Sequence, residues 1–250
     1  MTARYVEHVM GMPVSLALRG LHARGPRADR AWAAVVADLR EADRVFSTYR
    51  DDSCVSRLAR GEIALADCPP DVGEVLALGN EAAAVSGGAF TVCRPSPGGV
   101  LVFDPTGVVK GWAVERAARH LDELADTGYC LSAGGDLVAR AAGPGSPPWT
   151  IGIEDPRDPS RLVATVPLRS GAVATSGTAH RGAHIVDART GRPPEAVAAV
   201  TVVGDSLTWV DIEATAAFAR GPDALTWLRT RPGRTGLVVW TDGTTDLFAA

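Results

Sequence analysis

The stretch Thr127-Gly-Tyr-Cys-Leu-Ser-Ala-Gly-Gly-Asp-Leu-Val-Ala-Arg140 decides the fold class. Two short apolar runs, Tyr129–Ser132 and Leu137–Ala141, flank Gly134-Gly135-Asp136. Runs of this kind joined by two glycines read as a β-hairpin, because glycine reaches the positive φ that a tight two-residue turn demands. They do not read as a dinucleotide fingerprint, in which a strand is followed by a helix. A second reading stays open beside the turn: bare backbone lets a ligand approach closely.

Outward from this hairpin, Val14–Arg19, Trp149–Ile153, Leu162–Leu168, Ala172–Ala174, Val197–Val203 and Gly236–Trp240 are expected as strands. Ala28–Phe46 has helical periodicity, with Trp32, Val35, Val36, Leu39 and Val45 recurring at three and four. Further helices are expected over Ser53–Arg60, capped by Asp52 or Ser53, and over Asp71–Ser86, ended by Gly87-Gly88. Gly111–Leu124, closed by Gly128, Thr208–Ala219 and Pro222–Thr230 complete the set, with loops at Pro95–Gly99 and Gly143–Pro148. Helices and strands come in runs without strict alternation. The expected class is therefore α+β: a single domain over residues 1–250 with an antiparallel or mixed sheet flanked by helices.

The 250 residues are 46% hydrophobic and carry a net charge of −4, as a filled globular core requires. Lysines and arginines gather only at Arg24–Arg30 and Arg229–Arg234, both broken by Pro and Gly, so no nucleic acid is expected as partner. Cys54, Cys68, Cys93 and Cys130 are scattered without zinc spacing and read as reduced thiols. The first residues hold no apolar run of signal-peptide length, and no stretch is long enough for a membrane span. A cytoplasmic protein without membrane insertion is the expectation.

Three polar islands interrupt the apolar C-terminal third: Thr175-Ser176-Gly177, His184 to Gly191, and Asp211-Ile-Glu-Ala-Thr215. Asp211 and Thr215 stand four apart on a helix and stack on one face, offering two hard oxygens to a cation such as Mg²⁺. The same pair has a structural reading, with Asp211 as a helix cap and Thr215 bonding back to the backbone. Asp104, Gly107 and Lys110 lead into a helix expected from Gly111, whose N-terminus favours anions. Lys110 there either meets a phosphate or is a solvated surface lysine. His184 is either a backbone-bonded imidazole at a strand start or a proton acceptor of near-neutral pKa. Ser176 with His184 suggests a hydrolase, but no G-x-S-x-G elbow is present, and Ser176 is expected between strand and loop.

Together these pieces resemble the ApbE-type FAD:protein FMN transferases over Met10 to about Gly221. The residues carrying the likeness are Met10-Gly11, Phe46-Ser-Thr-Tyr49 with Asp52-Ser53, Gly88-Ala-Phe90, Asp104 with Lys110-Gly111, and Gly134-Gly135-Asp136. Trp149-Thr-Ile-Gly152, Thr175-Ser176-Gly177, His184-Ile-Val-Asp187 with Thr190-Gly191, and Asp211 with Thr215 complete it. The resemblance implies an ApbE-like, T-fold-like architecture and a Mg²⁺-dependent enzyme. Such an enzyme splits the pyrophosphate of FAD, attaches FMN by a phosphoester to a Thr or Ser of a client protein, and releases AMP. It implies Asp211, Thr215 and Gly107 as metal ligands, the last through its carbonyl alone. It also implies Met10, Tyr49, Ala89, Phe90, Thr91, Asp104, Lys110 and His184 as flavin-nucleotide contacts, with His184 at the reacting phosphate.

Departures from the family pattern accompany the match. Ala59 stands where an Asn is usual, Thr91 where an Asp is usual, and Glu115 in place of an Asp. Thr178-Ala179-His180 replaces a segment with Tyr or Asn, which makes His180 a second candidate base. Two alternatives therefore accompany the transferase reading: an FAD pyrophosphatase yielding FMN and AMP, and a protein that binds FAD without turnover.

Overall fold

The computed structural model describes residues 2–95, 101–178 and 185–250. Its strands are β1 (Thr2–Val9), β2 (Met12–Gly20), β3 (Cys93–Pro95), β4 (Leu101–Phe103), β5 (Thr127–Ala133) and β6 (Asp136–Arg140). They continue as β7 (Trp149–Asp155), β8 (Asp158–Leu168), β9 (Ser170–Gly177), β10 (Val197–Gly204), β11 (Thr235–Trp240) and β12 (Thr245–Ala249). The helices are α1 (Pro26–Phe46), α2 (Cys54–Ala59), α3 (Pro70–Val85), α4 (Thr106–Asp122), α5 (Leu207–Ala219) and α6 (Ala224–Leu228).

Eight strands form one sheet in the order β1-β2-β5-β6-β9-β10-β11-β12, antiparallel at each step. Tight turns set its register. Met10 and Gly11, at φ 56° and 71°, close β1 onto β2 with Val9 opposite Met12. Gly134 and Gly135, at φ 59° and 96°, close β5 onto β6 with Ala133 opposite Asp136, the hairpin expected from the sequence.

The central strands of the sheet are buried on both faces. On one, α1, α4 and α5 cover a core that includes Leu16, Leu131, Ala172, Val200 and Val238. On the other, the β7–β8 hairpin lays Trp149, Ile151, Ile153 and Leu168 over Leu137, Val173, Ala199 and Val239. Burial on both faces explains why β10 reads Val-Ala-Ala-Val-Thr-Val-Val with almost no polar alternation. Helix α5 is buried around nearly its whole circumference, from Leu207 to Ala219. A helix so placed is apolar all round, so its few polar residues need partners.

Most expected elements are present with ends moved by a few residues, and Ser53 caps α2 by accepting the Ser56 N–H. Two expectations are corrected. Helix α4 starts at Thr106, not near Gly111, because the Asp104 carboxylate two residues upstream accepts the Thr106 N–H and hydroxyl at 3.0 and 2.7 Å. Gly128 does not close that helix; it lies within β5, where a Cβ would meet the Arg140 carbonyl at 2.8 Å. Strands β1 and β12, at the two sheet edges, were not expected from the sequence. Most of the Pro95–Gly99 loop, and Ala179, His180 and His184, lie outside the described residues. Among the described residues the four cysteines are free thiols, and no helix is long and apolar enough to cross a membrane.

Candidate active site

The site is built where α4 crosses α5 above the β6 and β9 strands. Helix α5 is started from two directions. The Ser206 hydroxyl accepts the Trp209 N–H, and Glu115 reaches across from α4 to accept the Ser206 hydroxyl and the Thr208 N–H, both at 2.9 Å. The Thr208 hydroxyl also donates to Glu115. With the helix capped in this way, Asp211 is not its cap. It sits inside α5, and its Oδ2 accepts the Gly111 N–H of α4 at 3.1 Å. Gly111 is required here: a Cβ would lie 2.8 Å from the Leu207 carbonyl and 3.0 Å from the Asp211 Cβ, which would force the helices apart.

Lys110 precedes that contact, in the second turn of α4 and away from the helix N-terminus. Its ammonium lies against Asp136 Oδ2 and 3.4 Å from Asp211 Oδ1, with the lysine side chain only 20% exposed, so the solvated-lysine reading does not hold. Asp136, just after the Gly134-Gly135 turn, is 1% exposed. Its Oδ1 accepts the Thr175 N–H of β9 at 2.9 Å, and its Oδ2 has no other hydrogen-bond donor among the described residues. Two buried carboxylates thus share one ammonium. Burial pushes the Asp211 carboxyl up to about 7; Lys110 opposes the rise and the charge of Asp136 adds to it.

Thr215, one turn after Asp211, shares a 2.9 Å hydrogen bond with the Ser176 hydroxyl. That bond replaces the backbone bonding expected of Thr215, and it places Ser176 inside β9, opposite Val200 of β10. Neighbouring Thr175 bonds Thr201 of β10 at 2.9 Å, so the Thr175 and Ser176 hydroxyls are both held.

The remaining candidates divide. Phe90 packs on the first turn of α4, where a Cβ on Gly107 would come within 2.9 Å of its ring. The Ala89 carbonyl accepts the Ala188 N–H at 3.1 Å, tying the Gly87–Thr91 turn to the segment after His184. The Thr91 hydroxyl donates to the Cys93 carbonyl at 3.1 Å. Met10 occupies the β1–β2 turn, a positive-φ position unusual for a side-chain-bearing residue. Tyr49 is 95% exposed between α1 and α2, and its hydroxyl has no hydrogen bond among the described residues. His184 and His180 lie outside the described residues. At the C-terminal end of α5, a cleft of about 480 Å³ is lined by Asp187, Thr190, Arg192, Glu195 and Arg220. The Arg189 guanidinium holds the Asp187 carboxyl below its ordinary value.

Asp136 is the residue that sequence reasoning passed over as a site member. Its signal was present, since an acid directly after a two-glycine turn and at the head of an apolar strand must be buried with a partner. Glu115 was noted only as a departure, and its role in starting α5 follows from the helix crossing alone.

The fold and this sunken acid–lysine cluster define one class. A family model described as the ApbE family matches residues 10–95 and 94–238, and the chain belongs to that family. The FAD:protein FMN transferase of Escherichia coli (strain K12) is 29% identical over 133 residues, which are 49% of this chain and 38% of that protein. The FAD:protein FMN transferase of Rhodobacter capsulatus is 34% identical over 123 residues, 46% of this chain and 23% of its own length. The matched segment therefore spans well under half of these curated relatives. Among solved structures, the ApbE protein of Thermotoga maritima superposes with a TM-score of 0.84 at 22% identity, covering 99% of this chain and 97% of that one. The flavinyl transferase ApbE of Pseudomonas stutzeri, in its apo form, gives 0.82 at 25% identity, covering 99% and 94%.

Proposed function

We propose that the chain is a Mg²⁺-dependent FAD:protein FMN transferase, acting as one domain across residues 1–250. The observation that carries this reading is the buried Asp211–Thr215 face of α5 set against Lys110, in a chain of the ApbE family. The donor set fits a hard cation. Asp211 and Thr215 offer oxygens one helical turn apart, and among the described residues two carboxyl groups, Asp136 and Asp211, gather on the Lys110 ammonium. Among the described residues no group of three or more His, Cys, Asp and Glu side chains could hold a metal. Mg²⁺ takes few protein ligands and completes its shell with water and substrate phosphate. Asp211 and Thr215 would hold the ion, with the Gly107 carbonyl as the third protein oxygen. When bound, Mg²⁺ supplies charge neutralisation on the pyrophosphate of FAD.

The chain's own residues carry the rest of the reaction. Lys110 presents positive charge to the phosphates, and Asp104, Met10, Tyr49 and the Ala89–Thr91 turn orient the flavin half. His184 takes the proton from a client Thr or Ser hydroxyl as its oxygen attacks the FMN phosphorus. The phosphorus–oxygen bond to the AMP half breaks, and AMP leaves with its electron pair. Ser176 holds the Thr215 hydroxyl.

Incubating the protein with FAD and Mg²⁺, with and without a cell lysate, tests the reading. AMP release together with an in-gel fluorescent flavin band on a lysate protein is the expected result. AMP with free FMN and no labelled protein would replace transfer by FAD hydrolysis. Tight yellow binding without AMP would leave only a flavin-binding protein.

A further inference from the structure

We propose that Asp136 is a positioning residue that parks the Lys110 ammonium beside Asp211, leaving the Asp211 carboxylate open to a divalent cation. The inference rests on the metal reading of Asp211 and Thr215, and it concerns how a lysine and a dication share one carboxylate-lined pocket.

Three charged groups converge from three elements: Lys110 from the second turn of α4, Asp136 from the start of β6, and Asp211 from α5. The two acids are fixed. Asp136 is 1% exposed, follows a tight turn, and is tied through Oδ1 to the Thr175 N–H at 2.9 Å. Asp211 is 3% exposed and tied through Oδ2 to the Gly111 N–H at 3.1 Å. The lysine is the movable member, a compact charge on a flexible four-carbon stem with 20% of its side chain exposed. Its ammonium is in closer contact with Asp136 than with Asp211 Oδ1, which stands 3.4 Å away.

That asymmetry is what a divalent site needs. If Asp136 carried no charge, the ammonium would be drawn toward Asp211, whose Oδ1 already stands 3.4 Å away, and would settle where the cation belongs. With Asp136 charged, the lysine is held to one side, still positive for an anionic ligand. Asp136 also anchors β9 at Thr175, next to Ser176, which bonds Thr215. The same carboxylate thereby links the lysine and the strand that orients the second proposed ligand.

The test titrates Mg²⁺ calorimetrically into the wild type and the variants D136N, D136E, K110M and D136N/K110M, without FAD, and follows the melting temperature with and without Mg²⁺. D136N keeps an Oδ1 acceptor for Thr175 and should bind Mg²⁺ about 10–100-fold more weakly than wild type, as loss of an outer-shell partner does. D136E keeps the charge and should hold most of the affinity. In the K110M background no lysine is left to collapse onto Asp211, so D136N/K110M should bind about as tightly as K110M. Should D136N be too unstable to titrate, that last comparison decides the question. Wild-type affinity in D136N, or an equal loss with and without Lys110, overturns the inference while leaving the metal reading standing. A wild type that takes up no Mg²⁺ overturns the metal reading, and this inference with it.

Discussion

Asp211 and Glu213 stand two residues apart on the same buried helix, in opposite electrostatic situations. Glu213, 1% exposed, accepts from Arg231 at 3.1 Å and from Arg234 at 2.5 Å, so one carboxylate faces two guanidinium groups. Among the described residues, Asp211 shares Lys110 with a second carboxyl group. Two residues turn a helix by about 200°, so the two acids look to opposite sides. One meets the arginines between α6 and β11, and the other meets α4 and β6. Residue type and burial are alike; the count of counter-charges differs. The first arrangement closes a structural knot, whereas the second is where the proposed cation would sit.

The sharpest way to break this comparison is at Asp211. D211N should lower Mg²⁺-dependent AMP release from FAD by at least about 100-fold, the scale of losing a preorganised electrostatic contact. Its metal-free melting temperature should hold or rise, because a buried carboxylate short of counter-charge is gone. Wild-type turnover in D211N would remove Asp211 from the metal site.

Glu213 should behave in the reverse manner. E213Q leaves two guanidinium groups facing a neutral amide and should cost about 3 kcal/mol in denaturant unfolding, with or without Mg²⁺. AMP release should persist at temperatures where the variant is folded. A stability equal to wild type would show that the arginines need no counter-charge there.

The smallest effect is expected at Asp187, whose carboxyl is held low by Arg189 at the rim of the cleft. A folded pKa below the unfolded one contributes stability that is present above the ordinary carboxylate range and is lost as pH falls through the lowered value. The melting-temperature gap between wild type and D187N should therefore be open near pH 7 and close as pH falls below the ordinary carboxylate range. A gap that stays constant with pH would mean that the contact contributes through shape and not charge.

Legibility followed the strength of local signals. Helix α1 was readable because Val35, Leu39 and Ala42 keep a helical stripe against the core, and the β5–β6 hairpin because only glycines suit its turn. Strand β1 was not: Arg4, Val6 and His8 of this edge strand are exposed and Tyr5 and Glu7 only half-buried, which leaves little apolar alternation. Strand β12 buries only Phe248 among its residues. The start of α4 was hidden by Gly107 and Gly111, poor helix formers that serve contacts with Phe90 and α5. In the site, Asp211 and Thr215 were legible as a pair because helix geometry alone puts them on one face.

The sequence by itself determined the types of most elements, the antiparallel hairpin and the polar pairs within one helix turn, all of which depend on neighbours a few residues away. Tertiary structure alone decided that Asp211 is not a cap, that Lys110 leaves solvent for two carboxylates, and that Asp136 stands between the lysine and β9. Those outcomes depend on which residues distant in the chain share one desolvated space. There a charge must find its partner or stay costly, and no local pattern encodes which partner arrives.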